Sequence, residues 1–137
     1  MTHIDELATI GTSTWLDDLS RERLDSGNLR ELLSTKSIVG VTTNPAIFAA
    51  AMSSGTSYDE DIAILREKGA HADEAVYSLA VEDVRNACDV FTEIFEQTDG
   101  RDGRVSIEVD PRISADAEAT LSQARELWAQ VLSLIHI

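Results

Sequence analysis

The chain has 137 residues, 43% hydrophobic and 26% charged, enough for about one domain with a modest core and too apolar for a disordered segment. Acidic residues outnumber basic ones 25 to 11, and the resulting net charge of −14 argues against partnership with nucleic-acid phosphates or anionic membranes. The opening "MTHIDELATIG" has no basic region followed by an apolar block, the longest apolar run (46–52) is far too short for a bilayer, and the single Cys88 excludes an intrachain disulfide, so the expected compartment is the reducing cytoplasm.

The first strong element is "TSTWLDDLS", residues 12–20, which reads as a strand closed by Asp17 and Asp18. In the following "RERLDSGNLRELLSTK", Ser26-Gly27-Asn28 reads as a turn and helix start, with Leu29, Leu32 and Leu33 at helical spacing. "SIVGVTTNP" is a second strand, continuous and apolar as strands buried on both faces tend to be. "AIFAAAMSS" is a short helix ending near Gly55, with Pro45 in its first turn, where a missing N–H costs nothing. Residues 57–69 and 73–98 read as helices, the second with Val81, Val84, Cys88, Phe91 and Phe95 on one face. After the turn-rich "TDGRDGR" comes a third strand, "RVSIEVDPR". The last element, 114–131, reads as an amphipathic helix with Ser114 as N-cap and Leu121, Ala124, Trp128 and Val131 as its apolar face. The order β, α, β, several helices, β, α predicts an α/β fold with a parallel sheet. Three strands make an unfinished sheet, however, and an open or barrel architecture needs more.

Each strand ends in polar groups: Asp17 with Asp18, Thr42 to Asn44, and Glu108 with Asp110. The carboxyl edge of a parallel sheet is where ligands bind, because the following loops converge there. With side chains alternating, Trp15 and Asp17 share a face, as do Thr42 and Asn44, and Ser106, Glu108 and Asp110. If those faces point inward, Asp17, Thr42, Asn44 and Glu108 meet in one pocket. Two carboxylates there can divide the roles of proton donor and acceptor, while Thr and Asn orient a polyhydroxylated ligand. The competing reading is that these groups simply cap the helices that follow. Cys88 reads as a packing residue, Tyr58 and Tyr77 as core, and the three histidines show no metal-ligand spacing. No nucleotide-binding motif is present.

Together, "WLDDLSRERLDSGNL", "VGVTTNPAIF", "ACDVF" and "RVSIEVDPR" resemble the N-terminal part of a transaldolase of the actinobacterial-type branch, in order from about residue 7 to residue 131. The resemblance implies a partial (β/α)8 TIM barrel of the class I aldolase type, about its first three β/α units, with extra helices between strands 2 and 3. It implies transfer of a dihydroxyacetone unit from sedoheptulose 7-phosphate to glyceraldehyde 3-phosphate through a lysine Schiff base, in the pentose phosphate pathway. No metal or organic cofactor is implied, and the partners are sugar phosphates. By position, Asp17 becomes the proton-transfer carboxylate, Thr42 and Asn44 hold the dihydroxyacetone hydroxyls, and Glu108 works through a water on the imine. Asp110 and Arg112 match the same pattern and read as ordering the loop after the third strand.

The Schiff-base lysine is not expected in this chain. Lys36 and Lys68 are its only lysines, the first before a strand and the second beside a helix-ending glycine; the family's lysine follows on a fourth strand. The final "LSLIHI", 132–137, departs from the family pattern and back-translates to the start of a transposase adapter. The expectation is therefore a native portion 1–131 with a non-native tail, inactive alone, from a gene that continues. Three other readings stay open: a transaldolase fused to phosphoglucose isomerase, a small related aldolase, and a non-enzymatic acidic α/β binding module. Sequence gives no oligomeric state.

Overall fold

The structure, a computed structural model, describes residues 3–131; the 132–137 tail lies outside the described residues. Three parallel strands form one sheet in the order β1 (Trp15–Leu16), β2 (Gly40–Val41) and β3 (Arg104–Val105), with Trp15 opposite Gly40 and Gly40 opposite Arg104. The paired cores are much shorter than the segments read from sequence. Bonds such as Thr42 N–H to the Leu16 carbonyl (2.8 Å) and Ser106 N–H to the Val41 carbonyl (3.0 Å) carry the ladder one residue further. Beyond that, side chains replace it: Thr43 N–H donates to Ser106 Oγ at 3.0 Å, and the Thr43 hydroxyl donates to the Ser106 carbonyl at 2.7 Å. The strands therefore splay just where their polar ends begin.

The helices follow from local signals. Before β1 lies α1 (His3–Thr9), which buries none of its residues. After β1 comes α2 (Arg21–Asp25), capped by Ser20, whose hydroxyl accepts from Arg23 N–H at 3.2 Å. Gly27, at φ +76°, makes the left-handed corner into α3 (Asn28–Lys36), and Leu29 is that helix's buried residue. After β2, α4 (Pro45–Ser53) starts on its proline, and α5 (Asp59–Glu67) and α6 (Ala72–Gln97) follow before β3. A 3-10 turn, Pro111–Ile113, precedes α7 (Ala117–Val131).

The expected Ser114 cap is corrected here. The 3-10 turn consumes Ser114, whose N–H bonds the Pro111 carbonyl at 3.2 Å, and Asp116 caps α7 instead by accepting from Ala119 N–H at 2.9 Å. The apolar face of α7 is also shifted. Leu127 is its buried residue, whereas Leu121 and Trp128 are 51% and 64% exposed.

One core joins the helices to one face of the sheet. Val41, Leu19, Leu29, Phe48, Val84, Ala87 and Phe91 are buried together, with Cys88 among them, and burial pushes its thiol up to about 11. On this face α6 supplies the longest apolar stripe, and it turns directly into the loop before β3. Gly103 closes that approach: a Cβ there would lie 2.5 Å from the Phe95 backbone nitrogen.

A charged knot sits inside this packing. Arg21 Nε donates to Asp83 Oδ1 at 2.7 Å, the Tyr58 hydroxyl donates to Asp83 Oδ2 at 2.6 Å, and Arg21 N–H donates to the Tyr58 oxygen at 2.8 Å. Asp61 is a further partner of the guanidinium. These bonds tie α2, α5 and α6 together. Burial is the main influence raising the Asp83 pKa, with the Tyr58 and Arg21 bonds pulling the other way. Tyr58, read from sequence as simple core, is thus the hinge pin of a polar network.

Candidate functional site

The sheet's other face carries Asp17 and Thr42, two of the four sequence-predicted residues. Trp15, Gly40 and Arg104 lie level across the three strands, so Asp17, Thr42 and Ser106 form the next level on the same face. The Thr42 hydroxyl donates to Asp17 Oδ1 at 2.7 Å. Sequence separates these two residues by 25 positions; register brings them together.

The cap reading can be tested residue by residue. Asn44 is a cap: its Oδ1 accepts from Ile47 N–H at 2.9 Å and starts α4. Asp110 is also a cap, accepting from Arg112 N–H at 2.8 Å at the start of the 3-10 turn. Asp18 is occupied by Arg23 Nε at 2.8 Å. Asp17 and Glu108 do neither job. Ser20 caps the helix after β1 in place of Asp17, and no hydrogen bond within the described residues engages Glu108. Of the three carboxylates that the alternation rule put on the inward face, Asp110 is thus a cap, Asp17 accepts from the Thr42 hydroxyl, and Glu108 has no hydrogen bond among the described residues.

The four candidate residues form two pairs. Asp17 bonds Thr42, while Asn44 and Glu108 line a cavity of about 240 Å³ with Phe48, Tyr77, Asp110 and Arg112. Asp17 and Thr42 do not line that cavity. Capping leaves the Asn44 amide hydrogens uncommitted among the described residues. Tyr77 is half-buried there, and burial, followed by the charge of Asp110, raises its phenol pKa.

Asp110 and Arg112 order the loop after β3, as expected from sequence, and Asp73 is a further partner that sequence does not reveal. Arg112 Nε donates to both Asp110 oxygens, at 2.9 and 2.8 Å, and its Nη2 donates to Asp73 Oδ2 at 2.8 Å, tying the loop to the start of α6. The Arg112 bonds hold the Asp110 pKa below the usual carboxylate range. A lowered folded-state pKa means the tie contributes stability above the unfolded value of about 3.9 and loses it as pH falls through the lower folded value. Carbon-13 titration of the Asp110 carboxyl should therefore give a midpoint below about 3.9, returning to about that value in Arg112→Gln. An unchanged midpoint in the variant would remove Arg112 as the cause.

Neither lysine stands near these groups. Lys36 ends α3, before β2, and Lys68 follows α5; both are exposed. Among the described residues, no helix is long and apolar enough to cross a membrane.

The chain is similar in sequence to known proteins over most of its length. The family model described as Transaldolase/Fructose-6-phosphate aldolase matches residues 14–137. Curated relatives include the transaldolases of Mycolicibacterium paratuberculosis and Mycobacterium tuberculosis, each 57% identical over 122 residues, and that of Mycolicibacterium smegmatis, 55% identical over the same length. In each case the match takes in 89% of this chain and 33% of the relative, so the chain spans about a third of the length of these relatives.

Proposed function

Because the chain belongs to the transaldolase and fructose-6-phosphate aldolase family, we propose that it is the N-terminal portion of a transaldolase, residues 1–131, carrying about the first three β/α units of a (β/α)8 barrel. The observation that carries the reading is the hydrogen-bonded pair Asp17 and Thr42, level with each other at the carboxyl edge of the parallel strands β1 and β2.

In this reading the barrel continues from the free edge of β3. Val105, Ile107, Val109, Leu127, Trp128 and Val131 border an apolar cavity of about 300 Å³ beside that edge, a surface that a further strand and helix would cover. The lysine that forms the Schiff base belongs to the continuation too.

Dehydration of a carbinolamine needs a proton delivered to the departing oxygen, and in this reading Glu108, exposed and unengaged among the described residues, supplies it through a water. Cleavage of the carbon–carbon bond needs a base for the substrate hydroxyl. Asp17 takes that proton, and the electron pair of the broken bond passes into the imine. The Thr42 hydroxyl, already donating to Asp17, steadies the carboxylate and can swing to a substrate oxygen. Asn44 offers its free amide hydrogens to a second hydroxyl while its oxygen holds α4. The substrates are sedoheptulose 7-phosphate and glyceraldehyde 3-phosphate, no cofactor takes part, and the compartment is the cytoplasm. Joining residues 1–131 to the remaining two thirds of a mycobacterial relative tests this reading: the hybrid should transfer the three-carbon unit, and a folded, inert hybrid would contradict it.

A further inference from the structure

One level below Asp17 and Thr42, on the same face, stand Trp15 and Gly40, opposite each other in register. A Cβ on Gly40 would lie 2.5 Å from Cε2, 2.6 Å from Cδ2 and 2.8 Å from Nε1 of Trp15. Those are atoms of the indole's five-membered ring, so the ring occupies the space that any side chain at position 40 would need. Gly40 is not in a left-handed conformation, so it is the indole, and not the backbone, that requires glycine here.

The third residue at this level turns away. Arg104 Nε donates to the Gly100 carbonyl at 2.7 Å, and its guanidinium lies 5.3 Å from the Phe95 ring centre. Trp15 therefore holds the level alone. Gly40 is buried and Trp15 half-buried, yet no acceptor among the described residues takes the Trp15 Nε1–H. Among the described residues the buried side-chain atom left without a hydrogen-bond partner is Arg21 Nη2, so the Trp15 N–H, a donor only, is open to a ligand or water from the strand-end side.

We propose that Trp15 is a positioning and specificity residue of the strand-end site, its indole forming the floor and its Nε1–H donating to an oxygen of a small neutral hydroxyketone. The inference rests on the reading of Asp17 as the base and Thr42 as a hydroxyl-holding residue of one strand-end site. The arrangement fits ligands whose carbon chain can lie on an aromatic surface while their oxygens meet a few fixed polar groups. Gly40 is part of the same device, since it alone leaves room for the floor.

The test uses the chain itself, nitrogen-15 labelled, with dihydroxyacetone as probe. Trp15 and Trp128 are its two tryptophans, and Trp128→Phe leaves one indole signal to follow. On titration, the Trp15 indole N–H and the Thr42 amide should shift with one common midpoint. Trp15→Phe keeps an aromatic floor without the donor and should weaken binding by about 2- to 13-fold, the worth of one hydrogen bond. Gly40→Ala should displace the indole and abolish its response. A shift at Thr42 with Trp15 unmoved, or Trp15→Phe binding as tightly as the parent, would overturn the proposal and leave the strand-end reading standing. No shift at either residue would overturn both.

Discussion

Asp83→Ala should leave the chain without a cooperative unfolding transition. Asp83 is fully buried and accepts from Arg21 Nε and the Tyr58 hydroxyl, while the Arg21 side chain is only 10% exposed. Removing the carboxylate leaves Arg21 Nε and the buried Tyr58 hydroxyl without their shared acceptor, while Asp61 and Glu82 still face the guanidinium. Breaking a buried ion pair from one side costs about 3–5 kcal/mol, against a total of roughly 5–15 kcal/mol for a typical domain. This sheet has a free edge at β1 and another at β3, so its reserve should lie at the lower end of that range. Tyr58→Phe keeps the ion pair but loses the hydroxyl that accepts from Arg21 N–H and donates to Asp83, and should cost about 1–3 kcal/mol. Glu82→Gln, at a side chain 54% exposed, should stay within about 0.5 kcal/mol of the parent. Urea denaturation followed by circular dichroism separates the three. A transition for Asp83→Ala within about 1 kcal/mol of the parent would show that the knot is not what fastens α2 and α5 to α6.

The second large effect concerns chemistry. In the hybrid barrel, Asp17→Asn should lower kcat by about 10²–10⁴, the usual contribution of a positioned acid or base. The amide keeps the shape and can still accept from Thr42, but it cannot hold a proton taken from the substrate. KM should change little by comparison, because the proposed site gives the ligand's hydroxyls to Thr42 and Asn44 and not to Asp17. Thr42→Val should show the opposite division, raising KM more than it lowers kcat. Steady-state kinetics on the two variants decides the assignment. If Asp17→Asn raised KM and spared kcat, Asp17 would be a binding residue and not the base.

Much of this arrangement is legible in the sequence, for identifiable reasons. Parallel strands follow from apolar runs alternating with helical periods, and the inward face follows from the two-residue repeat that puts Trp15 with Asp17 and Thr42 with Asn44. Strand length is less legible. Ser106 looks like an ordinary strand residue, but its hydroxyl takes the Thr43 N–H and ends the ladder. The separate helix α2 hides inside a longer helical stretch because its Ser20 cap and the Gly27 corner lie only a few residues apart.

Asn44 illustrates a signal present but ambiguous. Asparagine directly before a helix-starting proline is a cap pattern and also a polar strand end, and the structure gives the side-chain oxygen to the cap. Other features depend on long-range register that sequence alone does not supply. Arg21 and Asp83 are 62 positions apart, and each reads as a solvated charge until the helices are packed. The need for glycine at position 40 is invisible until Trp15 is placed opposite it. The apolar face of α7 is hard to read for a related reason: Leu121 and Trp128 fit a helical stripe, but Leu127 is the residue that packing buries.

The central claim is that these strand ends are part of a transaldolase site whose lysine lies outside this chain. Borohydride trapping with fructose 6-phosphate, performed in parallel on the 137-residue chain and on the hybrid and located by mass spectrometry, tests it most directly. The account predicts no adduct on the chain alone and one adduct on the hybrid, at a lysine beyond residue 131. An adduct at Lys36 or Lys68 would contradict it, as would a folded hybrid that traps nothing.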